Sequence, residues 1–176
     1  MYKQLMALTT DQIREIESKA SDVLSLVYDG EGLKPPIDLS KILQKSGLTL
    51  KAGEFEDDNV SGYYDKNKKT VYVAKDDSYA RKIFTIAHEL GHFFLHKHKE
   101  SEIFYRLNAV ELDKEEKADE QAANWFAACL LMPQELLKNY WGFTHDLKEL
   151  AAVFGVSQTA MLWRLKNLGL IITQDA

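Results

Sequence analysis

Residues 88–92 read His88-Glu89-Leu90-Gly91-His92, and this pentad constrains the chain more than any other feature. On an α-helix, residues four apart lie one above the other on a single face, so the two imidazoles converge. Two neutral imidazoles in that geometry supply half of a tetrahedral zinc site. Glu89, next to the first histidine, can sit beside the open coordination position and take a proton from a zinc-bound water. A fold that uses the pentad must therefore place a helix there and bring a third ligand from elsewhere in the chain. Gly91 sharpens the expectation. A glycine inside a helix costs about 1 kcal/mol relative to alanine, so something should pack closely against this one.

The flanking sequence supplies such a frame. A first helix is expected from about Thr10 to Asp29, with Thr10 as its N-cap and Ile13, Ile16, Ala20, Val23, Leu24 and Val27 at helical spacing. GEGLKPP at 30–36 breaks it. A short helix over Leu39 to Lys45 ends at Gly47. The period then changes. Residues 48–55, 61–65 and 70–75 are rich in β-branched and aromatic side chains and read as strands, with 66–69 as a hairpin turn. Further helices are expected at 76–96, 112–132, 133–140, 146–154 and 157–168, and residues 102–112 read as a loop. The sum is an α+β arrangement, a small sheet in the N-terminal part with helices around it. With 176 residues, the chain favours one domain spanning 1–176, with a helical subregion at about 144–176.

Candidates for the third ligand come from two places. His98 stands six residues after His92, the spacing of a third histidine in H-E-x-x-H-x-x-G-x-x-H sites, but Leu95 occupies the glycine position of that pattern. The acidic start of the 112–132 helix offers Asp113, Glu115, Glu116, Asp119 and Glu120. Of these, Glu120 shares a face with Ala123, Asn124, Ala127 and Leu131. That face is small and mostly apolar, so it should be the buried one, and Glu120 an inward carboxylate.

FTIAHELGHFFLH (84–96) followed by EQAANWFAACLLMP (120–133) resembles the ImmA/IrrE family of zinc metallopeptidases. That family has an FT-x-AHELGH-x-x-LH helix and a second helix of the form E-x-x-AN-x-FAA-x-LLMP. The similarity extends upstream through PPIDLSKIL-x-x-x-GL and the hairpin, and downstream through 150–171. The resemblance implies a zincin-like domain with a His₂Glu site holding one zinc ion per chain. It implies that His88, His92 and Glu120 are the ligands and that Glu89 is the catalytic base. It also implies a bacterial or phage setting and a protein substrate, a helix-turn-helix repressor of the Xre type.

Around this core set, His96 and Asn124 are candidates to support the ligands from behind. Tyr63, Tyr64 and Tyr105 are candidates for an oxyanion donor, with nothing to choose among them. The strand at 70–75 is expected to offer an edge on which an extended substrate lies. LAAVFGVSQTAMLWRLKNLGLI (150–171) has the outline of a helix-turn-helix with Gly155 in the turn. Its charge argues against DNA. Lys148, Arg164 and Lys166 balance Asp146, Glu149 and Asp175 over 144–176, and the whole chain, with Lys+Arg 22 against Asp+Glu 27, carries −5. The segment is expected to pack against the domain.

One cysteine, Cys129, makes no internal disulfide and fits a reducing cytoplasm as a buried small hydrophobe. No signal peptide and no membrane span are expected. The reading is a zinc-dependent endopeptidase. Its rivals are a non-catalytic module that binds a repressor or DNA, and a structural zinc domain closed by His96 or His98.

Overall fold

The computed structural model describes residues 8–57, 59–95, 103–105 and 114–171. Helix α1 (Thr10–Leu24) is capped by Thr9, one residue before the expected cap. Thr9 Oγ1 accepts from the Gln12 amide, while the Gln12 side chain accepts from the Thr9 amide at 2.8 Å. This reciprocal pair satisfies two of the amides that a helix start leaves open. Ile16, Ala20, Val23 and Leu24 face inward. The chain passes through a short 3₁₀ turn at Ser25–Val27 to α2 (Leu39–Lys45), where the Asp38 carboxylate caps the Lys41 amide.

Three strands follow, β1 (Thr49–Gly53), β2 (Val60–Asp65) and β3 (Thr70–Ala74), then helix α3 (Tyr79–Leu95). Asp65 shapes the β2–β3 turn, accepting from the Lys68 amide at 3.0 Å and pairing with its ammonium at 3.1 Å. The fourth strand, β4 (Ile103–Tyr105), was expected to be loop. It pairs antiparallel with β2 across an irregularity at Val60/Gly62. Three residues are too few for an alternation pattern, so its pairing is set by tertiary contact with β2.

The sheet order is β1-β3-β2-β4, with β1 parallel to β3 and the other pairings antiparallel. This corrects the expectation for the 70–75 segment. β3 is hydrogen-bonded on both sides and buries Val71 and Val73. A substrate strand has no free edge there, and the outer strands are β1 and β4. Gly62 brings the sheet close to α3. A Cβ built on it would lie 2.6 Å from Thr85 Cγ2, so the sheet meets the helix at van der Waals distance only because that side chain is missing.

Helix α4 (Lys114–Leu131) packs on α3 and α1, and almost every residue from Ala122 to Met132 is buried. Pro133 stops it, and α5 (Gln134–Trp141), α6 (Leu147–Phe154) and α7 (Gln158–Asn167) complete the described chain. α6 and α7 do meet as a helix-turn-helix, each with its own cap (Asp146 and Ser157), joined at Gly155 with φ of +68°. The hairpin faces the body of the protein. Leu150, Phe154, Val156, Met161 and Leu165 are buried, and the Gly155 turn lies against Tyr79 and Pro36. Among the described residues no helix is long and apolar enough to cross a membrane.

Candidate metal centre

Helices α3 and α4 touch backbone to backbone at one point. A Cβ added to Gly91 would lie 2.9 Å from Ala123 Cα and 3.0 Å from its carbonyl oxygen. This is the close packing that the mid-helix glycine foreshadowed. It matters because Glu120 lies one turn before Ala123, while His88 and His92 flank Gly91. The Gly91–Ala123 contact therefore sets the distance across which the carboxylate reaches the imidazoles.

The reach is short. His88 Nε2 lies 2.9 Å from His92 Nε2, 3.3 Å from one Glu120 oxygen, and His92 Nε2 lies 3.1 Å from the other. The ligand atoms of all three fall within 4.8 Å of one another. The rings stand at 75° to each other with their Nε2 atoms turned toward one another. Two imidazole nitrogens and a carboxylate sharing one point form a donor set suited to a cation, and to zinc by composition. The histidines are buried, at 0% and 8% side-chain exposure, while Glu120 keeps 26%. The centre thus opens on the Glu120 side.

Asn124, a candidate to support the ligands, bonds within the site. His88 Nδ1 lies 2.9 Å from Asn124 Oδ1. An Nδ1–H donating to that amide oxygen leaves the Nε2 lone pair facing His92 and Glu120, the tautomer that a metal ligand needs. The electrostatics agree. Burial lowers the His88 pKa against the opposing pull of Glu120, so the ring stays neutral at pH 7. Burial would raise Glu120, but hydrogen bonds and charge from both histidines outweigh it and hold the carboxyl well below its usual range.

Glu89 is 1% exposed, one step around the helix from His88. His96 and His98 lie outside the described residues, as does the Tyr105 side chain. Of the other tyrosines, Tyr63 stacks on Tyr72 with centroids 4.8 Å apart, whereas Tyr64 points to the other face of the sheet. There it meets Phe93, the neighbour of His92, edge-on at 5.6 Å. Cys129 is buried as expected, which pushes its thiol up to about 11. Arg164 went unremarked in the sequence beyond its charge. It is 2% exposed, and its Nε donates to the Met132 carbonyl at 3.1 Å. The available signal was its place among Met161, Leu165 and Leu168 on the apolar face of α7.

The IrrE N-terminal-like domain, a peptidase family designated M78, matches residues 43–166. The chain belongs to this family. The match runs from α2 to the end of α7 and takes in every residue of the centre. A curated relative, named uncharacterized immunity region protein 2, comes from Bacillus phage phi105. It is 31% identical over 105 residues, which are 60% of this chain and 63% of the relative. A solved structure titled a Mycobacterium tuberculosis transcriptional regulator superposes with a TM-score of 0.60 at 18% identity, covering 90% of this chain and 47% of that one. The chain thus spans less than two thirds of each. The arrangement of a small mixed sheet, a motif helix and a helical C-terminal part is the α+β, zincin-like fold of the M78 domain.

Proposed function

We propose that this M78-family chain is a zinc-dependent endopeptidase whose one metal ion is held by His88, His92 and Glu120. The observation that carries the reading is the convergence of two buried Nε2 atoms and the Glu120 carboxylate on one point, with Asn124 fixing the tautomer of His88. When bound, zinc supplies a Lewis acid for the scissile carbonyl and acidifies a water. The chain's own residues do the rest. His88 stays neutral, both histidines present Nε2 to the shared point, Glu120 supplies the negative charge, and the exposed side of Glu120 leaves access for a peptide. Glu89 accepts the proton of the attacking water and returns it to the leaving nitrogen. Residues 1–176 work in this reading as one cytoplasmic domain.

The substrate in this reading is a helix-turn-helix repressor of the Xre type, supported by the immunity-region relative from a phage. Direct DNA binding is not part of it. Of the three basic residues in 144–176, Arg164 is buried, which leaves two to meet a phosphate backbone.

Glu89→Gln separates peptidase from scaffold. The variant should hold zinc at the wild-type stoichiometry, read by elemental analysis, while cleavage of an Xre-type repressor that the wild type cuts falls by about 10²-fold or more. Wild-type cleavage by Glu89→Gln would end the mechanism. Tight binding of an Xre-type repressor by wild type, with none cleaved, would favour the non-catalytic module.

A further inference from the structure

A second concave site lies at the other end of α4. The cleft has a volume of about 610 Å³ and is bounded by α1, the first turn of α5 and α7. Its size falls within the roughly 300–1,000 Å³ of small-molecule sites. Cys129, on its floor, stands nine residues beyond Glu120, about 13 Å along the helix. The cleft is therefore separate from the metal centre.

Two independent features give it a preference for negative charge. The first is Arg164, which forms part of the floor and is 2% exposed. Its Nε donates to the Met132 carbonyl, but its buried Nη1 has no hydrogen-bond partner, and no carboxylate among the described residues pairs with it. A buried cation without a counterion is costly, and such groups ordinarily have a partner. The second is the start of α5. Pro133 stands at its N-cap and no side chain caps it, while Gln134, Glu135 and Leu136 of its first turn line the cleft. The open amides of a helix start carry partial positive charge. The remaining surface is apolar, with Ala20, Leu24 and Leu33 as walls and the exposed Tyr28 at the rim. Two carboxylates also line the cleft, Glu17 and Glu135, of which Glu135 is exposed and pairs with Lys138 at 3.1 Å, and they set an upper limit on the ligand's charge. A dianionic phosphate meets about twice the repulsion there that a single carboxylate meets. Burial pushes the Cys129 thiol up to about 11 against the opposing charge and hydrogen bond of Arg164, so the guanidinium has a neutral sulfur beside it and not a counterion.

We propose that this cleft binds a small monocarboxylate with an apolar body, its carboxylate on Arg164 and the first turn of α5 and its body against Leu24 and Leu33. The test titrates the full-length protein by calorimetry with octanoate, with octanol as the uncharged match, and with inorganic phosphate. Octanoate should bind at least about tenfold more tightly than octanol, the ratio for one charge-assisted contact. Phosphate should bind more weakly than octanoate. Arg164→Met should remove the preference for octanoate, and Glu17→Gln should tighten it. Ser21→Trp places an indole in the cleft from an exposed position and should abolish binding of both while leaving melting temperature and metal content unchanged. Should Arg164→Met not fold, the Glu17→Gln and Ser21→Trp results decide. Equal binding of octanoate and octanol, no binding of octanoate, or octanoate binding unaffected by Ser21→Trp would each overturn the proposal. Every reading is taken with and without zinc, so it stands apart from the peptidase assignment.

Discussion

Gly91→Ala tests whether the α3–α4 contact sets the metal centre. The new Cβ would sit 2.9 Å from Ala123 Cα and 3.0 Å from the Ala123 carbonyl oxygen. Carbon atoms pack best at about 3.5–4.0 Å, so the helices must separate by roughly 0.5–1 Å at this point. Metal sites hold their ligand distances to about ±0.2 Å. Glu120, one turn from Ala123, would be carried beyond that tolerance, while His88 and His92 stay together on α3. Two stability effects oppose each other. Overpacking costs about 1–3 kcal/mol, and replacing a mid-helix glycine by alanine returns about 1 kcal/mol. The metal-free protein should therefore lose about 0–2 kcal/mol, or up to about 8 °C in melting temperature at about 2–4 °C per kcal/mol. Zinc affinity should fall by about tenfold or more, out of proportion to the change in stability. Adding Ala123→Gly should give little rescue. It removes only the contact to Ala123 Cβ at 3.3 Å and leaves both backbone contacts in place. The assays are thermal unfolding in chelator and a competition titration with a chromophoric zinc chelator. A Gly91→Ala protein with wild-type zinc affinity would refute the argument.

Three further outcomes follow from the geometry. Asn124→Ala should weaken zinc binding by about 10–100-fold, the usual scale for a group that orients a ligand, and the same chelator competition measures it. Asp65 has its carboxyl held below the usual range by the Lys68 amide and then its side chain. A carboxyl lowered on folding stabilises above its unfolded pKa, and that contribution disappears as pH falls through the folded value. Asp65→Asn should therefore melt below wild type at pH 7, and melting curves taken at lower pH should show the gap closing once the unfolded carboxyl protonates near pH 4. Cys129, buried with its thiol pushed up to about 11, should resist a thiol reagent at pH 7.5 in the folded protein and react fully in denaturant.

Much of this architecture was legible in the sequence because it is local. α2 keeps its expected limits, and the β2–β3 hairpin and the two long helices, expected at 76–96 and 112–132 and found at Tyr79–Leu95 and Lys114–Leu131, follow from periodicity and from breakers such as Gly47 and Pro133. His88, His92 and Glu120 could be named because the first two share a helix face and the third stands on the small, apolar face of another. What escaped was long-range. β4 exists by pairing with β2, and the interior place of β3 depends on β1 joining it in parallel from another part of the chain. Asn124 could be placed on the correct face, but its bond to His88 depends on how closely α4 approaches. Arg164 looked like an ordinary helix cation, and only the packing of α7 against the end of α4 buries it.

The bond from Arg164 to the Met132 carbonyl has a bearing on synthesis. Pro133 stops α4, and an arginine 32 residues after Met132 donates to the Met132 carbonyl just past the helix end. A ribosome releases the helix carrying Glu120 and Asn124 before it releases the side chain that finishes that helix's end. During that interval α4 has its sequence but not its final partner, and the helix end is free to fray. The end of α4 farther from the centre thus gains this bond only from nearly the last turn of the described chain. A C-terminal deletion that removes α7 would leave the Met132 carbonyl without this donor and uncover the end of α4.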